Sequence, residues 1–554
     1  MANPYTERRA QMFPRLSEAQ IGRIAEIGKQ RSVRAGEVLF QPGDQNSCFF
    51  VITEGELEIV RPLDGHQEPV TVHGPGEFTG EINMLSARRS LVRGQMKSDG
   101  SILVVNPDDL RALVQSDSEL SEILMRAFIL RRVALLEQGE SSLVLLGSRH
   151  SADTTRIREF LSRNGQPYTY HDVEGERGVE ALLDRFHVQV ADIPVVICCD
   201  GGQVLRNPTL EALADTLGLT PELDPAVVRD VVVVGGGPAG LAAAVYAASE
   251  GLDVLVLEST APGGQAGQSS RIENYLGFPT GISGQALAGR ALTQAEKFGA
   301  QVAIGRSAAR LHCERKPYEV HLADGEVVRT RTIVVATGAR YRRLDLPALS
   351  RFEGRGVYYS ATHLESQLCS GEEVAVVGGG NSAGQAAIFL AKAASKLHVL
   401  VRGTGLAESM SRYLIHRIEC SSSITLRTRT QVVALEGEER LERVIWKHLD
   451  SGETQTRPVR NLFLMTGADP NTAWLEGCVV MDDKKFVKTG AELGADELAE
   501  AGWRPRRKPH ILETSIPGVF AVGDARAGSI KRVASAVGEG SICVQLIHQA
   551  LQDR

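Results

Sequence analysis

No CxxC pair occurs anywhere in the 554 residues, and apart from the adjacent Cys198 and Cys199 the eight cysteines (also Cys48, Cys313, Cys369, Cys420, Cys478 and Cys543) are scattered. That spacing supports neither a disulfide framework nor a zinc site. Apolar runs of membrane-spanning length are also missing, which predicts no transmembrane helix. The opening residues carry Glu7, Arg8 and Arg9 with no apolar core behind them, so no secretory signal is expected and the predicted compartment is cytoplasmic. Nor is there an excess of positive charge. With 61 Lys and Arg against 68 Asp and Glu, the net charge of −7 argues against nucleic acid as a partner. The one basic run, Trp503 to Lys508, is interrupted by Pro505 and reads as a solvated loop.

What is present is an ordinary globular composition, 43% apolar and 23% charged. The length implies about three or four domains. The strongest signals are two glycine-rich loops. One is Asp230-Val-Val-Val-Val-Gly235-Gly-Gly237-Pro238-Ala239-Gly240, and the other Glu373-Val-Ala-Val-Val-Gly378-Gly-Gly380-Asn381-Ser382-Ala383. Each follows a valine-rich run expected to be a buried parallel strand, and each opens an alanine-rich helix. That context marks dinucleotide sites. Gly235 permits the tight turn, Gly237 lets the backbone approach a pyrophosphate, and Gly240 lets helix and strand pack closely. Glu258 closes the next strand and suits the unphosphorylated ribose of FAD. In the second loop Ala383 stands for the third glycine. Arg402 ends the strand Leu397 to Val401 where an acid would mark NAD, so a 2′-phosphate and hence NADPH is favoured. Two dinucleotides in one chain imply hydride passing between nicotinamide and flavin.

Further segments resemble the low-molecular-weight thioredoxin reductases: Pro262-Gly263-Gly264-Gln265, Arg271-Ile-Glu-Asn274-Tyr275, Ala336-Thr337-Gly338-Ala339, Thr466-Gly467 with Pro470-Asn-Thr472, and Pro517 to Gly523-Asp524. The resemblance implies that Gly264, Gln265, Asn274, Thr337, Gly338, Gly523 and Asp524 hold FAD, with Arg532-Val533-Ala534 closing over the flavin ring. It also implies a homodimer. One departure is chemical. Where the family has its redox-active cysteines, this chain has Tyr358-Tyr359-Ser360-Ala361-Thr362-His363. Ser360 cannot form a disulfide, so dithiol relay at this place is excluded. His363 is a candidate proton donor, Ser360 stands in a cysteine's place, and Tyr359 or Tyr358 is a candidate to lie near the ring. The alternative is that these side chains only fill the space.

Upstream, short strands between Gly, Pro and Asp turns over residues 30 to 107 suggest an antiparallel roll. Gly36-Glu37, Pro42-Gly43-Asp44 and Gly55 resemble the cyclic-nucleotide-binding domain of catabolite activator proteins and protein-kinase regulatory subunits. In the segment Phe78 to Ser90 that likeness implies Glu81 on the ribose, Arg89 (or Arg88) on the cyclic phosphate, and Gly80 and Ser90 beside it, for cAMP or cGMP. Residues 141 to 220 resemble the thioredoxin/glutaredoxin fold, with Ile193-Pro194 at its cis-proline position. No cysteine stands at that fold's active-site place, Arg149 to Thr154, so the unit is expected to be a docking adapter.

The expected fold is thus multidomain α/β: an N-terminal β-roll, a thioredoxin-like α/β/α unit, and two nested Rossmann-like domains. The boundaries expected are 1–140, 141–224, 225–345 with 470–554 for FAD, and 346–469 for NADPH. The expected function is an FAD-dependent NADPH oxidoreductase, regulated by a cyclic nucleotide. Its acceptor would be a small molecule or a small redox protein: a ferredoxin, a small disulfide, a quinone or oxygen. Two alternatives stand beside it. One is a conventional thioredoxin reductase relaying through Cys198 and Cys199; the other is a flavin or cyclic-nucleotide sensor acting through a protein partner.

Overall fold

The computed structural model describes the chain except residues 1–8, 45–47, 64–65, 81–83, 85–89, 91, 138–142, 150, 175–182, 184–187, 190–191, 199–201, 408–409 and 553–554. At the front, strands Val38–Phe40, Arg93–Met96, Leu57–Leu63 and His66–His73 form one antiparallel sheet. Lys29–Val33, Gly100–Val105 and Phe49–Glu54 form a second, giving the expected β-roll. Helices Pro107–Ser116 and Ser118–Glu137 follow. The longer one is buried on more than one side, as its apolar density predicts. Leu120, Leu124 and Phe128 are fully buried, and so nearly are Arg131 and Arg132.

The next unit has a four-stranded sheet in which Val144–Gly147 pairs in parallel with Thr169–Asp172 and antiparallel with Val195–Cys198. Gln203–Arg206 forms the far edge. Helix Ala152–Arg163 crosses between the parallel strands, and the Ile193–Pro194 bond is cis as expected. This unit is not a separate bead. Its Leu145, Ile157, Phe160 and Val196 share one hydrophobic core with Val231, Ala243 and Phe520 of the flanking Rossmann unit.

That Rossmann unit is built on parallel strands Gln301–Ile304, Val254–Glu258, Val228–Val234, Val327–Val335 and Val519–Ala521, with Tyr318–Leu322 and Ala308–His312 added antiparallel. The valine run is buried on both faces, which is why it reads as continuous rather than alternating. The chain leaves through Ala339–Tyr341 and returns through Ala468–Pro470, and these two segments pair as an antiparallel ribbon. Between them lies the nested unit: parallel strands Val357–Tyr358, Asn461–Leu464, Glu373–Val377, Lys396–Leu400 and Ile424–Arg427, plus a three-stranded antiparallel sheet.

His398 and Asn461 break the apolar pattern of the nested sheet. His398 is fully buried in its strand; its Nε2 donates to Glu373 Oε1 at 2.7 Å, and its Nδ1 accepts from Arg427 Nε at 3.1 Å. With Nδ1 occupied as an acceptor the ring is neutral, and burial pushes its pKa down, against the pull of Glu373. A depressed folded-state pKa means that the unfolded chain binds the proton first. Stability is therefore full above the unfolded value of about 6.5 and is lost as pH falls through it. Thermal melts between neutral and acid pH should show this loss. His398→Gln should make it shallower by up to one proton, about 1.4 kcal/mol per pH unit.

Candidate functional site

The first glycine loop has the tightness its sequence demands. Gly235 sits at φ +107°, and a Cβ there would stand 2.4 Å from Ala336 O. At Gly240 a Cβ would meet Gly235 O at 1.9 Å. In front of Gly237, by contrast, only Gly264 comes within contact, so the backbone is open to a large anion. Gly237 caps the helix Pro238–Ser249 with no side-chain bond to the first turn. Ala239, inside that turn, touches Gly523 and Gly540 of the C-terminal segment. Glu258 organises the whole loop. Its Oε2 accepts Gly236 N at 2.7 Å, and its Oε1 accepts Thr260 N at 2.9 Å and Ala261 N at 3.1 Å. A carboxylate has about four lone-pair sites, so three backbone bonds leave capacity for a ribose hydroxyl.

Thr337 Oγ1, beside this loop, is buried with no hydrogen-bond partner. A buried hydroxyl without a partner is costly, and a polar ligand group would satisfy it. Gly338 next to it is left-handed at φ +64°. Gly523 N donates to Glu539 Oε2 at 2.7 Å, and burial raises the pKa of the adjacent Asp524. Gln265 Nε2 donates to Ala339 O at 2.5 Å, tying the Gly264 turn to the inter-domain ribbon. Asn274 is exposed. Its neighbour Glu273 pairs with Arg417 of the nested unit at 2.5 Å. Arg532 and Ala534 are exposed, and Val533 is half-buried at the start of helix Val533–Gln552. Open backbone at Gly237 and an unsatisfied Thr337 fit a dinucleotide such as FAD.

The second loop repeats the geometry. A Cβ at Gly378 (φ +145°) would meet Met465 O at 2.4 Å. Gly380 caps helix Asn381–Leu390 without a side-chain bond. Asn381 Oδ1 accepts Ser411 N at 2.7 Å, Ala383 is fully buried, and Ser382 is exposed. The strand ends at Leu400, two residues before Arg402, and Val401 N still donates to Arg427 O of the neighbouring strand at 2.9 Å. Arg402 is exposed at that end.

Tyr341, which the sequence did not single out, links the second loop to the C-terminal segment. It lies on the ribbon, its hydroxyl is hydrogen-bonded to Ser382, and the charge of Asp524 acts on it. Burial raises its pKa, so at neutral pH it is a neutral phenol between Ser382 and Asp524.

At the place of the missing cysteines, helix His363–Leu368 begins. Thr362 N and Oγ1 both bond the buried Glu365, which fixes the helix entry. Ser360 is half-exposed ahead of it, and the His363 side chain lies outside the described residues. The Tyr359 hydroxyl is already committed: it donates to Glu353 Oε1 at 2.6 Å, and Glu353 also pairs with Arg343. Tyr359 thus holds a turn in place, a use the sequence did not reveal. The next thiol along the sequence, Cys369, is buried, and burial pushes its pKa up to about 12.

In the front unit Gly80 is left-handed at φ +105°, with a Cβ there meeting Met84 Sδ at 2.3 Å. Ser90 is held by Asp44, whose O accepts Ser90 N at 2.9 Å. Glu81 and Arg89 lie outside the described residues, as does Arg88.

Residues 229–540 match the family model for pyridine nucleotide-disulphide oxidoreductases, and residues 30–117 match that for the cyclic nucleotide-binding domain. The chain belongs to the pyridine nucleotide-disulphide oxidoreductase family and carries a cyclic nucleotide-binding domain ahead of it. Within that family it is similar to thioredoxin reductases. NADPH-dependent thioredoxin reductase 3 of Arabidopsis thaliana is 32% identical over 359 residues, 62% of this chain and 64% of that protein, so the match spans under two thirds of that relative. The thioredoxin reductase of Bacillus subtilis is 28% identical over 327 residues, 59% of this chain and 96% of that one. Among solved structures, Lactococcus lactis thioredoxin reductase in its FR conformation superposes with a TM-score of 0.52 at 26% identity, over 58% of this chain and 99% of that one. The T. acidophilum thioredoxin reductase gives 0.51 at 25%, over 58% and 98%. The protein is a thioredoxin-reductase-like flavoprotein oxidoreductase, with FAD and NADPH as its cofactors. Among the described residues no helix is long and apolar enough to cross a membrane.

Proposed function

We propose that this protein is an NADPH oxidoreductase that delivers electrons to an acceptor meeting the flavin directly, under control of a cyclic nucleotide. When bound, FAD supplies the ring that takes hydride from NADPH. The observation that carries the choice of acceptor is the segment Tyr358 to His363, where serine and histidine replace the family's two cysteines and the next thiol along the sequence is the buried Cys369. The residues proposed for FAD are Gly235, Gly237, Gly240, Glu258, Gly264, Gln265, Thr337, Gly338, Gly523 and Asp524. Gly378, Gly380, Ser382 and Arg402 take NADPH, with Tyr341 orienting the two. Ser360 and His363, which stand in the sequence where the family has its cysteines, are the residues proposed to meet the acceptor. The proposed division of the two nucleotide domains at 345/346 and 469/470 is supported by the antiparallel ribbon of Ala339–Tyr341 and Ala468–Pro470 beside it.

Control by a cyclic nucleotide is supported by a continuous set of contacts. Arg131, buried on helix Ser118–Glu137, donates to Gly80 O at 2.9 Å and Phe78 O at 3.1 Å, where the phosphate-binding segment begins. Its neighbour Arg132 donates to Gly165 O, just past helix Ala152–Arg163. From that helix end, Arg163 donates to Gly264 O at 3.0 Å and Asn164 to Thr260 O at 2.9 Å. The other end of the helix meets the nested unit, where a Cβ at Gly354 would stand 2.8 Å from Ala152 Cβ. The thioredoxin-like unit is therefore an adapter placed to bias both nucleotide domains. The homodimer is proposed along the same helix, where an open groove of about 590 Å³ is lined by Met125, Ile129 and Leu130 together with Ser121, Glu122 and Arg126.

The acceptor is tested by following NADPH oxidation with ferredoxin, quinone, a small disulfide or oxygen, against thioredoxin. Turnover without thioredoxin is expected. Thioredoxin turnover that Cys198→Ser abolishes would overturn this choice in favour of a conventional reductase. The NADPH preference rests on Arg402. Arg402→Glu should raise KM for NADPH by about 10–100-fold, the loss of a charge-assisted contact of about 1.5–3 kcal/mol, and leave KM for NADH nearly unchanged.

A further inference from the structure

Two cysteines far apart in sequence meet away from the flavin site. Cys313 follows the edge strand Ala308–His312, in the turn leading to Tyr318–Leu322. Cys478 lies in the turn after Ala473–Leu475, on the segment where the chain re-enters the first Rossmann unit. The two side chains pack against the same core cluster, and Cys478 Sγ reaches the carbonyl of Leu311, two residues before Cys313. As a thiol, Cys478 donates to Leu311 O at 3.1 Å. Neither is buried like Cys369 or Cys543: both are half-exposed, so a small reagent can reach them. The hydrogen bonds from Cys313 pull the Cys478 thiol below its ordinary value, aided by Arg310 and opposed by burial and Glu314. Cys313 is pushed up in turn, chiefly by that same bond and then by burial. Two thiols within reach of a small reagent, on segments packed together, are the arrangement that an attacking and a resolving cysteine need.

We propose that Cys313 and Cys478 are a redox-convertible pair that a hydroperoxide closes to an intrachain disulfide. The Cys478 thiolate attacks a peroxide oxygen, the O–O bond breaks, and the leaving oxygen departs as water or an alcohol after taking a proton. The sulfenic acid left on Cys478 is then attacked by the Cys313 sulfur, the S–OH bond breaks, and a second water leaves. Two thiols lose two electrons and two protons, and the peroxide is reduced. Reduction by an external dithiol reverses the change. The bond would tie the edge strand to the segment that follows the inter-domain ribbon.

The full-length protein, reduced and freed of reductant, is treated with hydrogen peroxide and mapped by mass spectrometry without reduction. The expected result is a cross-linked peptide joining Cys313 to Cys478, lighter by two hydrogens and restored by dithiothreitol. Iodoacetamide should label Cys478 about tenfold faster than Cys313 in the reduced protein. In Cys313→Ser, dimedone should trap the sulfenic acid on Cys478. Recovery of both cysteines as free thiols after peroxide, with oxidation only at exposed Cys420, would overturn the proposal. The unsubstituted protein alone decides between these two maps, so the test stands even if the variant fails to fold.

Discussion

Protein carrying Glu258→Ala is expected to purify nearly colourless. The Glu258 carboxylate is the node of the first nucleotide loop, accepting Gly236 N, Thr260 N and Ala261 N. Hydrogen bonds to a charged group are worth about 1.5–3 kcal/mol each, and the partners left buried without one cost a similar amount. Truncation strands these donors and removes the acceptor for a ribose hydroxyl. FAD affinity should fall by about 100-fold or more, the equivalent of about 3 kcal/mol. The ratio of visible to ultraviolet absorbance after purification, followed by titration with FAD, reads this directly. Glu258→Gln keeps an acceptor at one oxygen and should retain part of the flavin. Full flavin content in Glu258→Ala would mean that the loop does not hold FAD in this way.

The second large effect is expected at Arg132. This side chain joins the cyclic-nucleotide unit to Gly165, next to the residues that hold Thr260 and Gly264. Coupling between two sites is commonly about 1–3 kcal/mol, or about 5–150-fold in affinity. Arg132→Ala should keep cyclic-nucleotide binding and flavin reduction, while the effect of one on the other shrinks to within about twofold of none. Calorimetry of cAMP binding and the rate of flavin bleaching separate the two outcomes. Arg131 is a poorer place to test this, because three carbonyls (Met12, Phe78 and Gly80) depend on its guanidinium and the rings of Phe13 and Phe78 stack on it. Its loss would unsettle the unit itself.

Much of the reductase half was legible because its signals are local. The valine runs before Gly235 and Gly378 are doubly buried strands, and the glycines stand where a Cβ would strike the neighbouring backbone. The cis bond at Ile193–Pro194 was likewise marked by its position. What the sequence could not show depends on contacts between distant segments. Tyr341 has no motif of its own; it matters because the ribbon sets it between Ser382 and Asp524. Cys313 and Cys478 look scattered until the hairpin and the returning segment pack together. Tyr359 suggested a place near the flavin ring, but its hydroxyl is taken by Glu353 six residues before it. The adapter's shared core with the Rossmann unit was hidden for the same reason, since apolar periodicity says that a face is buried but not against what.

The measurement that bears most directly on the whole account is anaerobic mixing of the FAD-loaded protein with NADPH, followed at the flavin's visible band, with and without cAMP or cGMP. The account predicts rapid bleaching, and a rate that a cyclic nucleotide changes several-fold. Absence of bleaching under both conditions would contradict hydride transfer between the two loops and favour a sensor acting through a protein partner. Bleaching indifferent to both nucleotides would contradict the proposed control while leaving the oxidoreductase in place.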